Sequence, residues 1–414
     1  MTLESPALRL LAALAAVGAR SAPSGGERIL IARATSLGDF TNFLPCLRQL
    51  TERHPDAQVD LVLLSRVGAI AEHFALPDNI RIHTVDVRSL GAMRASARTL
   101  RVPRLDGRYD HVYYAGQSAE GFSSRAKKLI FLRHIVGWRV AITGFHARRA
   151  REANVVFEDM PVADCQIPVD ACVRVMAPLP VDRSSVLNMM RYSSDDRESL
   201  SGRLAAALPG ARRIAGVHAW AQFDRKRWPA ARYAMVIQHL LSLGFDGIAL
   251  LGGPADVDSA EALREMLPGM PIAVLAGTLS VRDSIFLAER LEMVVGNDGA
   301  PIHMAALGGA RVVSVFCNYE PAGLWEPVLA PRSRSVRPVW GTRRPPTEYG
   351  IESVPLDAVI AAIDDVLRDD GAAHEIQIAN GTELQRYPIP LNTPVFTDLP
   401  GLVSSTAVSA KGAR

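Results

Sequence analysis

The stretch Arg28-Ile-Leu-Ile-Ala-Arg33, followed by Ala34-Thr35-Ser36-Leu37-Gly38-Asp39 and a helix-like run from about Thr41 to Arg53, decides how the chain is read. Four consecutive apolar residues between arginines fit a strand buried on both faces. A small polar turn follows, and the helix starts at once. The same alternation continues outward. Strand patterns at 59–64, 80–85 and 109–114 are separated by helix-compatible segments near 67–74 and 88–100, and helix signals return over 122–135. Strands alternating with helices at this spacing predict a parallel sheet covered on both faces.

A second run begins at Ser194, read as the cap of a helix reaching about Leu208. Strands are expected at 213–218, 247–251, 272–275, 293–296 and 311–316, with helices at 229–243, 256–267, 281–290 and 301–307 between them. The expected fold class is therefore α/β, with two Rossmann-like, doubly wound domains. The expected division is an extension over 1–26, a first domain over 27–185 and a second over 186–355. A helix over 356–370 is expected to return to the first domain. An irregular tail over 371–414 is expected, since seven Pro or Gly fall between 371 and 401.

The 414 residues are 48% hydrophobic, 21% charged and 6% aromatic, which excludes collagen, coiled coil and wholesale disorder. Net charge is +3, too small to suggest nucleic acid as a partner. It is unevenly placed: residues 1–180 hold 23 Lys+Arg against 17 Asp+Glu, and the remainder 23 against 26. The two halves are expected to meet different partners. Cys46, Cys165, Cys172 and Cys317 show no CxxC spacing, which fits a reducing cytoplasm rather than a disulfide framework or a zinc site. No apolar run reaches the ~18–20 residues of a membrane span. The apolar stretch from Ala7 to Ala19 is interrupted by Arg9, and Glu4 before it argues against an export signal. It reads as a loosely anchored helix or a peripheral membrane contact.

Five segments carry chemistry. Ligands of open α/β sheets bind beyond the carboxyl ends of the strands, where Ser36-Leu37-Gly38-Asp39 falls. There Gly38 permits close backbone approach. Asp39, ionised at a helix start, is either a cap or a base for a substrate hydroxyl. The loop Arg225-Lys226-Arg227-Trp228-Pro229 sets three cations before a helix, a placement that an anion such as phosphate would favour and that a solvated basic loop would also explain. Gly296-Asn297-Asp298-Gly299-Ala300-Pro301-Ile302-His303 turns from strand to helix, presenting free N–H groups suited to a diphosphate, with Asp298 as the expected cap and His303 facing cleft or core. Gly252-Gly253-Pro254 is a strand-end turn that either admits a base or ribose or is a plain turn. From Gly121 to Arg151 there are eight Lys/Arg and no acid, including Arg125, Lys128 and Arg133. That face would attract an anionic acceptor or membrane, or it is an ordinary solvated surface. A further basic stretch, Arg332 to Arg344, reads as a loop without a role.

Together these segments resemble glycosyltransferase family 9, the lipopolysaccharide heptosyltransferases and their relatives. The resemblance runs from about Arg28 to Leu367. It rests on Ser36-Leu37-Gly38-Asp39, Lys226-Arg227-Trp228-Pro229, Leu250-Leu251-Gly252-Gly253-Pro254, Leu275-Ala276-Gly277-Thr278 and Asn297-Asp298 with Pro301-Ile302-His303-Met304-Ala305-Ala306. It implies a GT-B fold, two Rossmann-like domains facing a cleft. It also implies a cytoplasmic, metal-independent, inverting transfer of a heptose from ADP-heptose to an anionic lipopolysaccharide or cell-envelope glycan, with no cofactor beyond the substrate nucleotide sugar.

By the same resemblance Asp39 is the general base, and Ser36, Gly38, Arg125 and Lys128 lie on the acceptor side. Lys226, Arg225, Gly253, Asp298, Gly299, Ala300 and His303 hold the nucleotide sugar. A peripheral inner-membrane contact is consistent with the basic first half. The chain departs from the family pattern in three places: Gly299 stands where relatives carry Ser or Thr, Ala300 where they carry Gly, and Ala115-Gly116-Gln117-Ser118 where many relatives carry an Asp-x-Gln-Gly-type segment. A different nucleotide sugar, or a non-catalytic relative, are the alternative readings. A dinucleotide oxidoreductase lacks its GxGxxG after either first strand.

Overall fold

The computed structural model describes, with short breaks, residues 26–96, 109–114, 122–136, 142–143, 183–317, 325–338 and 350–388, together with a few positions between 7 and 17. The first domain holds strands β1 (Arg28–Arg33), β2 (Gln58–Leu64), β3 (Ile80–Val85), β4 (His111–Tyr114) and β5 (Ile142–Thr143), all parallel, in the order β3-β2-β1-β4-β5. Helices α1 (Leu37–Arg53) and α2 (Phe122–Val136) cover it. The chain then passes through α3 (Arg183–Leu187) and α4 (Ser194–Ala207) into the second domain. Its elements are β6 (Ile214–His218), α5 (Ala230–Ser242), β7 (Gly247–Leu250), α6 (Val257–Glu265), β8 (Ile272–Val274), α7 (Val281–Leu287), β9 (Met293–Asn297), α8 (Ala300–Gly308), β10 (Arg311–Val315), β11 (Ser333–Pro338), α9 (Leu356–Arg368), β12 (His374–Asn380) and β13 (Glu383–Pro388).

The second sheet runs β13-β12-β11-β10-β9-β6-β7-β8, parallel except for the last hairpin. In both sheets the order reverses beside the first strand, between β1 and β4 and between β6 and β9. That reversal opens the crevice in which such folds bind ligands. α1 begins directly after β1, and α8 directly after β9. Apolar side chains of α1 (Phe40, Phe43, Leu44, Leu47) share one buried cluster with those of α8 (Ile302, Met304, Ala305, Leu307), so the two crevices meet across a packed contact.

Three expectations are corrected. The segment after Asp370 is not irregular throughout: β12 and β13 extend the second sheet. α9 does not return to the first domain; Val359, Ala362, Ile363 and Val366 pack with Trp228, Val313 and Val336 of its own domain. The basic stretch from Arg332 is not all loop. Arg334 and Arg337 lie inside β11, almost fully buried. Arg334 pairs with Asp365 and with Glu375 (3.4 Å), and Arg337 with Glu326 (2.8 Å). Smaller shifts are one-residue ones: Ser193, not Ser194, caps α4, and Pro229 is the residue before α5.

The expected anchoring of the apolar N-terminal stretch has a concrete form. Leu11 is buried with Leu129, Leu132 and Ile135 of α2, and Arg133 donates to the carbonyls of Leu14 and Val17, both at 2.8 Å. Arg133 therefore does not face an acceptor. Among the described residues no helix is long and apolar enough to cross a membrane.

Candidate active site

The centre of the cleft is the turn between β9 and α8. Asn297, the last residue of β9, is fully buried, and its Oδ1 accepts from the Trp228 N–H (3.1 Å) and the Tyr233 hydroxyl (2.8 Å). Those two bonds fasten the basic loop and the start of α5 to the strand end. The loop is thereby placed so that Lys226 Nζ lies 2.6 Å from Asp298 Oδ2. Burial opposes ionisation of Asp298, but the facing His303 ring and the Lys226 ammonium more than offset it, holding its carboxyl below the usual range. Contrary to the expectation from the sequence, Asp298 does not cap α8. Gly299 is the residue before the helix, with Pro301 in its first turn. The carboxylate serves the lysine instead, fixing a cation beside the open N–H groups of a helix start.

His218 ends β6 directly beside Gly296, in register. A β-carbon on Gly296 would lie 2.6 Å from the His218 carbonyl oxygen, so only glycine fits. His218 Nδ1 is 3.1 Å from the Leu251 carbonyl, which also accepts from Trp220 Nε1 (2.8 Å). Burial pushes the imidazole pKa down, against the opposing pull of that carbonyl and of Asp256 and Asp298. The neutral ring therefore donates through Nδ1, and its Nε2 faces the Gly299 backbone. A β-carbon at Gly299 would sit 3.0 Å from Nε2. A Ser or Thr at 299 would crowd the imidazole unless the ring gave way by a few tenths of an ångström.

Ala300 lies at an equally close crossing. A β-carbon on Gly38 would lie 3.1 Å from His303 Cδ2 and 3.3 Å from the Ala300 Cα. The small residue that this close crossing needs is supplied from the first domain, by Gly38. His303 is buried, and its Nδ1 accepts from Asn42 Nδ2 at 3.1 Å across the cleft. Its Nε2 is 3.8 Å from Asp298 Oδ1.

The remaining expected residues are distributed as follows. Asp39 is the third residue of α1, next to Gly38; its side chain lies outside the described residues, as does that of Arg125. Ser36 is exposed immediately before α1. Lys128 lies over the Tyr114 ring (5.6 Å), near the carboxyl end of β4. The Arg225 guanidinium stacks on exposed Phe223 (4.7 Å). The Gly253 N–H donates to Asp256 Oδ2 (2.8 Å), so it is not a free donor. The structure thus brings Gly38, Lys226, Asp298, Gly299, Ala300 and His303 together. It adds Asn42, His218, Asn297 and Tyr233, which sequence reasoning did not assign to the site. Only Asn297 lay inside a quoted motif; the others carry no local signal.

Comparison with known proteins agrees with this geometry. Residues 140–346 match the family model described as glycosyltransferase family 9 (heptosyltransferase). Lipopolysaccharide heptosyltransferase 3 of Escherichia coli is 23% identical over 344 residues, covering 80% of this chain and 96% of that protein. The crystal structure of a family 9 glycosyl transferase from Veillonella parvula DSM 2008 superposes with a TM-score of 0.61 at 18% identity, over 84% of this chain and all of that one. The E. coli ADP-heptose lps heptosyltransferase II gives 0.54 at 18% identity, over 83% and 98%. The fold is GT-B.

Proposed function

The chain belongs to glycosyltransferase family 9, the heptosyltransferase family, and on that premise we propose that it transfers a heptose from ADP-heptose, with inversion and without a metal, to a hydroxyl of an anionic lipopolysaccharide or related envelope glycan. The observation that carries the reading is the crossing of two helix starts. α1, with Asp39 in its first turn, meets the β9–α8 turn, where Asp298 pairs with Lys226 of the basic loop.

The donor diphosphate would lie against the Gly299–Pro301 backbone and Lys226. As the bond from the anomeric carbon to the diphosphate breaks, negative charge grows on the leaving phosphate. A preorganised ammonium and helix N–H groups stabilise that charge in a desolvated site. Asp298 orients Lys226 before the donor arrives, which lowers the cost of ordering a long side chain. On the other side of the sugar, Asp39 accepts the acceptor hydroxyl proton as that oxygen forms its bond to the anomeric carbon. The acceptor would approach over Ser36, Gly38 and Lys128.

Calorimetry with ADP, UDP, GDP, CMP and NAD, without added metal, tests the donor. Selective binding of ADP is expected; a preference for UDP or GDP would retain the mechanism and change the sugar nucleotide, and binding of NAD alone would overturn the reading. We also propose a cytoplasmic, peripheral inner-membrane contact, supported by the exposed Leu10, Val17 and Ile130 and the nearby exposed Lys127. Co-sedimentation with anionic but not neutral vesicles checks it.

A further inference from the structure

We propose that Asn42 is a positioning residue: it fixes the tautomer of His303 and so holds the Asp39-bearing helix in register with the donor-phosphate turn. The inference rests on the proposed function of the same cleft.

An amide nitrogen carries only hydrogens, so the 3.1 Å contact from Asn42 Nδ2 makes His303 Nδ1 an acceptor. A neutral imidazole then carries its proton on Nε2, the nitrogen that faces the ionised Asp298 at 3.8 Å. The opposite tautomer would set N–H against N–H at Asn42 and a lone pair against a carboxylate at Asp298. Lys226, Asp298, His303 and Asn42 thus form one polar series from the donor loop to the first domain. Asn42 is 3% exposed and His303 4%, so these interactions act in a low dielectric, where orientation matters most.

The series ends on the helix that bears the base. Asn42 lies three residues, about one turn, after Asp39 on α1. A β-carbon at position 38 would lie 3.1 Å from His303 Cδ2 and 3.3 Å from the Ala300 Cα, so glycine is what lets the start of α1 approach the ring this closely. A diphosphate engaging Lys226 alters the charge facing Asp298, and His303 and Asn42 transmit that alteration to α1. An asparagine that merely filled a polar gap would impose no tautomer on the histidine and would leave turnover alone.

The test is 15N NMR of histidine-labelled full-length protein without ligand, together with transfer kinetics. Wild-type His303 is expected as the Nε2–H tautomer. Asn42→Leu should lose that preference and lower kcat at least tenfold, with the donor KM within threefold. Asn42→Asp, a second variant should the leucine fail to fold, puts a carboxylate on Nδ1. The ring then sits between that group and Asp298, with Lys226 the cation facing Asp298, and the His303 titration midpoint should rise by at least one pH unit. A wild-type Nδ1–H tautomer, or variants with wild-type tautomer and kcat, would overturn the proposal. If wild-type protein transfers no heptose at all, the proposed function falls, and the tautomer in wild type and variants alone decides the role of Asn42.

Discussion

The two helix starts that meet in the cleft are held in different ways. The α8 start is fixed from behind by its own domain: Asn297 is bonded by Trp228 and Tyr233, Asp298 is paired with Lys226, and Gly299 is backed by His218. The α1 start packs on the apolar strands of its own domain through Phe40, Phe43, Leu44 and Leu47, and it also touches the second domain across the cleft, Gly38 against Ala300 and Asn42 against His303. The α8 start is therefore fixed by polar contacts within its own domain, whereas the start of α1, which carries Asp39, combines packing on its own sheet with contacts to the second domain. In a reaction whose charge develops on the leaving phosphate, the α8 side is where fixed dipoles help most.

The sharpest test of the contrast is on the α1 side. Asp39→Asn should lower kcat by roughly 10²–10⁴-fold, the range for losing a general base, while ADP affinity stays within twofold by calorimetry. An equal loss of ADP binding would mean that the two sides are not separable. Buried ion pairs lie in the second domain behind the β9–α8 turn. Arg337→Met would leave Glu326, fully buried, without its guanidinium partner and should cost about 3–5 kcal/mol in denaturant unfolding. Lys226→Ala should weaken ADP binding by about 1.5–3 kcal/mol and also lower the unfolding midpoint, because buried Asp298 loses the ammonium that favours its ionised form.

The smallest effect concerns pH. The folded state lowers the His218 pKa, so below its ordinary value of 6.5 the unfolded chain binds a proton that the folded one refuses. Stability should fall with acidification from there, by at most about 1.4 kcal/mol per pH unit, until the folded pKa is reached. His218→Gln should flatten that part of the profile. An unaltered slope would remove His218 as its source.

Much of this was legible in the sequence, and the failures have a common cause. Strands such as Ile29–Ala32 and Val294–Val295 announce themselves because both faces are apolar. The turns after β1 and β9 are legible as Gly-containing breaks between strand and helix periods. β11 and β12 were hidden because buried ions replace apolar residues in them, Arg334 and Arg337 in β11 and Glu375 in β12, together with the buried amide of Gln377. Hydropathy reads such a segment as loop, since the compensating partners lie 11 to 41 residues away. The site shows the same division. Residues whose role follows from local chemistry, such as Lys226 before a helix, stood out. Asn42 and His218 did not, because each acquires its role from a contact with a distant element: Asn42 with a residue 261 positions later, and His218 with the Gly299 turn.

The terminal hairpin has a consequence for handling the protein. β12 pairs along all six residues of β11, and β13 then closes the row in the opposite direction. A chain cut after Arg368 would expose the β11 ladder as a bare parallel edge and strip Arg334 of Glu375. Unprotected edges of that kind recruit strands from other molecules. The hairpin moves the sheet edge from β11 out to β13 and keeps Arg334 covered, and a shortened version is expected to aggregate more readily than the full chain.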